Sequence, residues 1–204
     1  FQNNRQTIQH LPKNKIMAIA SDIIIIGGSA GSYTLIAGLL EQLPFNFEAA
    51  ICIVLHRNRH YDTKIEKSLS RKLNKNIIPV IDKMDICKNH VYFAPAGYHL
   101  LIEPNNTFSL DCSEHINYSR PSIDVLFETA AQVYADRCTA FLFSGANSDG
   151  AKGLRIIENY GGKIIIQDPA QSIIRTMPLA GIRETKNPTV WKDDEILSFF
   201  KNLN

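Results

Sequence analysis

Residues 23–32 read Ile23-Ile24-Ile25-Ile26-Gly27-Gly28-Ser29-Ala30-Gly31-Ser32, and this stretch decides the fold. An unbroken apolar run with no polar alternation belongs to a strand covered on both faces, as in a parallel sheet. The run ends in glycines that allow a tight turn, and from 33 to 43 apolar residues recur at helical spacing until Pro44 stops them. Strand, glycine turn, helix is the first half of a βαβ unit.

The same alternation recurs along the chain. Residues 49–55, 140–143 and 163–166 are further apolar runs. Helical spacing is found over 63–73, 123–134 and 151–160, with Ser122 as an N-cap and Gly161-Gly162 as a stop. The pattern predicts an α/β fold: a three-layer, doubly wound, mostly parallel sheet with helices on both faces. Between 91 and 112 the runs shorten and are broken by Pro95-Ala96-Gly97 and Pro104-Asn105-Asn106, which predicts a small antiparallel hairpin or meander at one edge. Residues 191–203 supply a closing helix. The polar stretch 1–21 is expected to be a linker or tail, and 22–204 one domain.

Composition narrows the function. The chain has 204 residues, 45% hydrophobic and 21% charged, enough for one sizeable core. A net charge of +2, from 22 Lys+Arg against 20 Asp+Glu, argues against a nucleic-acid partner. The apolar run at 23–28 is far shorter than the roughly 20 residues that cross a bilayer, so no membrane insertion is expected. Cys52, Cys87, Cys112 and Cys138 form no C-x-x-C pair, which removes zinc-ribbon and dithiol readings and favours a reduced, cytoplasmic setting.

In an open parallel sheet, ligands bind at the carboxyl ends of the strands. Ser29, His56 and Asp149 each follow a predicted strand at that edge. The loop at Ser29 allows three readings: a phosphate cradle, a nucleophile at a helix N-terminus, or a plain structural turn. The first lacks both the lysine of a P-loop and G-x-G-x-x-G spacing. A serine hydroxyl needs an imidazole base and a group that orients it. Alone, His56 reads as a structural hydrogen-bonder and Asp149 as a helix cap; together with Ser29 they read as a catalytic triad. The backbone at Ala30 and Gly31 would then offer oxyanion donors. His99 beside Tyr98 either lines the cleft or is structural, Arg120 either meets an acidic substrate surface or has no part in the site, and Met177-Pro178 is a turn packed near the site. His60, His90 and His115 fall on exposed loops, and 64–75 is a solvated helix face.

Several blocks together resemble a known family. These are Ile26 to Ser32, Leu55-His56, Val91 to His99, Arg120 to Phe127, Ser144 to Ala151, and Met177-Pro178. In that order they are similar to the catalytic domain of chemotaxis receptor protein-glutamate methylesterases. The resemblance implies hydrolysis of γ-glutamyl methyl esters on the cytoplasmic helices of chemoreceptors, and in some members glutamine deamidation, with no cofactor. It places the nucleophile on Ser29, the base on His56 and the orienting carboxylate on Asp149; His99, Arg120 and Met177 stand apart from this as candidate substrate-binding residues. Two stretches depart from the family pattern: Ser29-Ala30-Gly31-Ser32-Tyr33 stands where Ser-Thr-Gly-Gly-Pro is usual, and Gly145-Ala146-Asn147-Ser148-Asp149-Gly150 where Gly-Met-Gly-x-Asp-Gly is usual. The family commonly carries an N-terminal phosphorylation-regulated receiver domain, for which residues 1–21 have no room; the chain is then a piece of a longer protein or a stand-alone enzyme regulated otherwise. Two rivals to the receptor esterase are a non-catalytic docking module of the same fold, favoured by the departures, and a hydrolase or deamidase of the same mechanism with another substrate.

Overall fold

The computed structural model describes residues 18–57 and 65–204. The elements in order are β1 (Ile23–Gly28), α1 (Tyr33–Gln42), β2 (Ala50–Leu55), α2 (Ile65–Leu73), β3 (Ile77–Pro79), β4 (His90–Phe93), β5 (His99–Ile102) and β6 (Phe108–Asp111). There follow α3 (Ile123–Tyr134), β7 (Cys138–Leu142), α4 (Ala151–Asn159), β8 (Lys163–Gln167), α5 (Thr176–Glu184), β9 (Thr189–Trp191) and α6 (Asp193–Lys201). Seven strands form a parallel sheet in the order β3-β4-β2-β1-β7-β8-β9, and β5 and β6 pair separately as an antiparallel hairpin. The doubly wound α/β reading of the sequence holds.

The isoleucines of β1 explain why the sheet has two covered faces. Side chains alternate along a strand, so Ile23 and Ile25 join one buried cluster with Leu126, Phe127 and Leu154, while Ile24 and Ile26 join another with Ile36, Phe141 and Phe200. Helices α3 and α4 therefore lie on one face, and α1 and α6 on the other. Each buried isoleucine contributes about 1.5–3 kcal/mol. Because β2 lies on one side of β1 and β7 on the other, the chain reverses its winding direction at β1. That is where the carboxyl-end crevice of such a sheet opens.

The structure corrects the edge. The run at 91–93 is no part of a meander: as β4 it pairs parallel with β2 and β3, with Val91 and Phe93 buried on one face and Tyr92 on the other. Among the described strands, only β5 and β6 pair antiparallel. Strand β3 and helix α5 lie where no element was predicted, and β9 ends on Trp191, which the closing helix predicted over 191–203 included. Met177-Pro178 sits in the first turn of α5 and is no free turn, because the first helical amides need no partner and Pro178 costs nothing there. His90 is half-buried at the start of β4 with Nδ1 against the Lys88 carbonyl (2.8 Å), whereas His115 is exposed as expected. His60, the first two residues of the helix predicted over 63–73, and residues 1–17 of the expected tail lie outside the described residues. The end of that tail is tied down: Ile19 bridges to Cys87, and Ala20 N donates to Ile86 O (2.9 Å).

Candidate active site

The parallel register brings Ser29 and His56 together before any side chain is considered. Gly28 of β1 is paired with Leu55 of β2, and the His56 amide continues the ladder by donating to the Gly28 carbonyl (3.0 Å). The residues next in line, Ser29 and His56, thus stand at neighbouring strand ends. On the other side of β1, the Ser29 amide donates to the carbonyl of Ser144, just past β7 (2.9 Å).

The turn carrying Ser29 is braced from within and from the β7 side. Ser32 caps α1, and both its amide (3.1 Å) and its Oγ (2.7 Å) donate to the Ser29 carbonyl, so the serine in place of the usual glycine adds a bond to the turn. Ser144 Oγ contacts the Ala30 carbonyl (2.9 Å) and accepts from the Ile174 amide (2.9 Å), while Gln167 Oε1 accepts from the Ser144 amide (2.9 Å). Among the described residues, the Ser29 hydroxyl and the Ala30 and Gly31 amides have no hydrogen-bond partner. Gly31 has φ of 87°, and a Cβ there would lie 2.7 Å from both Ile173 Cβ and Ser144 Oγ. Gly31→Ala is therefore expected to lose about 1–3 kcal/mol of stability and to slow turnover by disturbing this turn, checked by urea unfolding beside an ester assay.

His56 and Asp149 are joined by Nε2 to Oδ2 at 2.8 Å. Asp149 is fully buried but does not cap its own helix α4, whose N-cap is Gly150. Its carboxylate caps α3 instead. Ser122 Oγ (2.8 Å) and the Asp124 amide (3.2 Å) donate to Oδ1, the Ile123 amide (2.7 Å) donates to Oδ2, and Asn117 Nδ2 reaches Oδ1 (3.3 Å). An anion at the amino end of a helix also gains from the helix dipole. Gly150 is required beside it: at φ of 92°, a Cβ would come within 2.6 Å of Ile123.

Burial pushes the Asp149 carboxyl up, but the bonds from His56, the Ile123 amide and Ser122, with the imidazole's charge, outweigh it and hold the group below the usual carboxylate range. An ionised carboxylate only accepts, so Nε2 of His56 carries a proton, and in the neutral ring the lone pair is on Nδ1. The neighbouring Asp124 is shifted the other way, raised by burial and by the Asp149 charge against a bond from the Gly153 amide. The depressed group stabilises the fold above its unfolded pKa of about 3.9, and that stability is lost as pH falls through the lower folded value. Asp124 works in the opposite sense: raised in the fold, it contributes stability that is lost as pH rises through its folded value. Urea midpoints measured below about pH 4 should therefore fall with a shallower slope in Asp149→Ala than in the unmodified chain.

The other expected site residues are placed as follows. His99 is 1% exposed, with Nε2 on the Glu114 carbonyl (2.9 Å) and Nδ1 accepting from the Ser122 amide (3.1 Å). It braces the residue that braces Asp149, which fits the structural alternative. Arg120 Nη1 donates to the carbonyls of Cys112 (2.6 Å) and Ser113 (2.5 Å). Met177 is buried and packs on Gly145 next to Ser29. Ser144, Gln167, Asn117 and Ser119 were not singled out from the sequence; only the polar residues directly after strands hinted at the first two. Burial raises the thiols of Cys52, Cys138 and Cys87, so they stay protonated near neutral pH and are poor nucleophiles. Among the described residues, no cluster of His, Cys, Asp or Glu could hold a metal ion, and no helix is long and apolar enough to cross a membrane.

Comparison with known proteins gives a consistent picture. A family model described as CheB methylesterase matches residues 24–199. A putative protein-glutamate methylesterase/protein-glutamine glutaminase of Leptospira interrogans is 40% identical over 183 residues, covering 90% of this chain and 95% of that protein. The protein-glutamate methylesterase/protein-glutamine glutaminase of Thermotoga maritima is 29% identical over 82% of this chain, which spans only 49% of that relative's length. The crystal structure of the Thermotoga maritima CheB methylesterase catalytic domain superposes with a TM-score of 0.80 at 25% identity, covering 89% of this chain and 100% of the other.

Proposed function

Since the chain belongs to the CheB methylesterase family, we propose that it hydrolyses γ-glutamyl methyl esters on chemoreceptor proteins, with Ser29, His56 and Asp149 as its catalytic triad. The observation that carries the residue assignment is the 2.8 Å bond from His56 to the buried, ionised Asp149, at a strand end adjoining that of Ser29. Ser29 Oγ attacks the ester carbonyl while Nδ1 of His56 takes its proton. The oxyanion is received by the unengaged amides of Ala30 and Gly31. His56 then returns the proton to the leaving methoxide, releasing methanol, and activates a water that frees the glutamate. Asp149 holds the ring so that Nε2 stays protonated and supports the positive charge formed on it. The same steps release ammonia from a glutamine side chain, in keeping with the second activity in the relatives' names.

The partners are the methylated cytoplasmic helices of chemoreceptors, and the setting is cytoplasmic. A receiver-type regulatory domain, where one partners this unit, would cover the strand edge carrying Ser29 and Ala30. The test is methanol release from methylated receptor cytoplasmic fragments. Release is expected from the unmodified protein; a folded protein that releases none would overturn the receptor-esterase reading and leave the docking module or a different ester as its replacement.

A further inference from the structure

Asn147 stands where the family pattern usually has a glycine, and its side chain closes a ring of hydrogen bonds around the base. Its Oδ1 accepts from the Asp149 amide (3.2 Å), and its Nδ2 donates to the Asn117 carbonyl (3.3 Å) and to Ser119 Oγ (3.2 Å). Ser119 Oγ in turn lies 3.4 Å from Nδ1 of His56 and 3.4 Å from the Asn117 carbonyl. The ring runs His56, Asp149, Asn147, Ser119 and back to His56. A glycine at 147 has no atoms with which to complete it.

We propose that Ser119, held in place by Asn147, is a positioning residue that fixes the His56 ring with Nδ1 available to the nucleophile. This rests on the assignment of His56 as the base. Asp149 holds one nitrogen, but a ring held at one corner can still swing about that contact. A second contact on the opposite nitrogen removes that freedom. The hydroxyl suits both stages of the reaction. With Nδ1 unprotonated, the Ser119 proton points to it, and at 3.4 Å the contact is long enough to yield as Ser29 approaches. Once Nδ1 has taken the Ser29 proton, the Ser119 hydroxyl rotates to donate to the Asn117 carbonyl, and its oxygen accepts from the new N–H. Asn147 Nδ2 donates to Ser119 Oγ in either state, so that oxygen keeps its place throughout. No bond other than the proton transfer already described is made or broken.

The test compares the unmodified chain with Ser119→Ala, Ser119→Thr and Asn147→Gly in two assays. One is methanol release from methylated receptor fragments, giving kcat and KM; the other is the rate at which a fluorophosphonate labels Ser29, which needs the base but no receptor. Ser119→Ala and Asn147→Gly should each lower kcat and the labelling rate by roughly tenfold to a hundredfold, the range for a hydrogen bond to a charged group, with KM unchanged. Ser119→Thr, which keeps the hydroxyl, should restore most of both rates at the same Tm. Unchanged rates in Ser119→Ala, an effect on KM alone, or a threonine variant as slow as the alanine one would overturn the proposal. Normal labelling without methanol release would instead count against the receptor substrate, and the labelling rates of the variants would still decide the role of Ser119.

Discussion

Ser29→Ala is expected to abolish methanol release, lowering kcat by roughly 10,000-fold or more, while leaving the fold and its Tm unchanged. Both halves follow from what Ser29 touches. Its amide and carbonyl hold the turn through Ser144 and Ser32, and alanine keeps both groups. Its hydroxyl bonds to nothing among the described residues, so its loss leaves no buried partner stranded. All of the cost falls on chemistry. Steady-state kinetics beside a thermal melt would check this, and a folded variant retaining a tenth of the activity would mean that the nucleophile lies elsewhere.

Asp149 should behave differently, because its substitution removes two functions at once. Asp149→Asn is expected to lower kcat by about 10,000-fold, since the orienting charge on His56 is lost. It also places an amide nitrogen among groups that only donate: the Ile123 and Asp124 amides and the protonated face of His56. Asp149→Ala leaves those donors and Ser122 Oγ buried without the carboxylate. A stranded buried donor costs about 1–3 kcal/mol, and water can recover some of them, so a net loss of about 3 kcal/mol is expected. For a domain of this size that lowers Tm by roughly 6–12 °C. Ser29→Ala and Asp149→Ala, both expected to lose nearly all activity, should thus separate cleanly in a melt. An Asp149→Ala protein as stable as Ser29→Ala would show that the helix cap contributes little.

The sequence disclosed the elements whose signals are local. Ile23 to Gly28 and Ala50 to Leu55 are continuous apolar runs, and each emerged as a strand buried on both faces. β3 and β9 span three residues each, too short for any periodicity to register. β4 was recognised as extended, but its partners depend on β2, some 40 positions earlier, and the proline and glycine after it imitate a hairpin. α5 was hidden by Pro178, which reads as a breaker unless its place in the first turn is known. At the site, Ser29 and His56 directly follow β1 and β2, and Asp149 stands one glycine-bearing turn past β7, so their common place at the carboxyl edge of the sheet follows from the strand pattern. The cage around Asp149 was not. Ser122 was visible only as a cap for α3, and nothing local to it or to Asn117 points across 27 or 32 positions to Asp149. The ring through Asn147 and Ser119 is hidden for the same reason, since its links cross between loops that meet only when the sheet has formed.

The cap that Asp149 places on α3 bears on how descendants of this chain should be judged. A copy released from the need to turn over substrate could drop Ser29 at little cost, because among the described residues the hydroxyl supports nothing else. The same copy would hold on to its aspartate, since losing it would threaten folding whether or not a reaction was still being run. Finding the acid in a distant sequence is therefore evidence of ancestry, and finding the serine is evidence of employment.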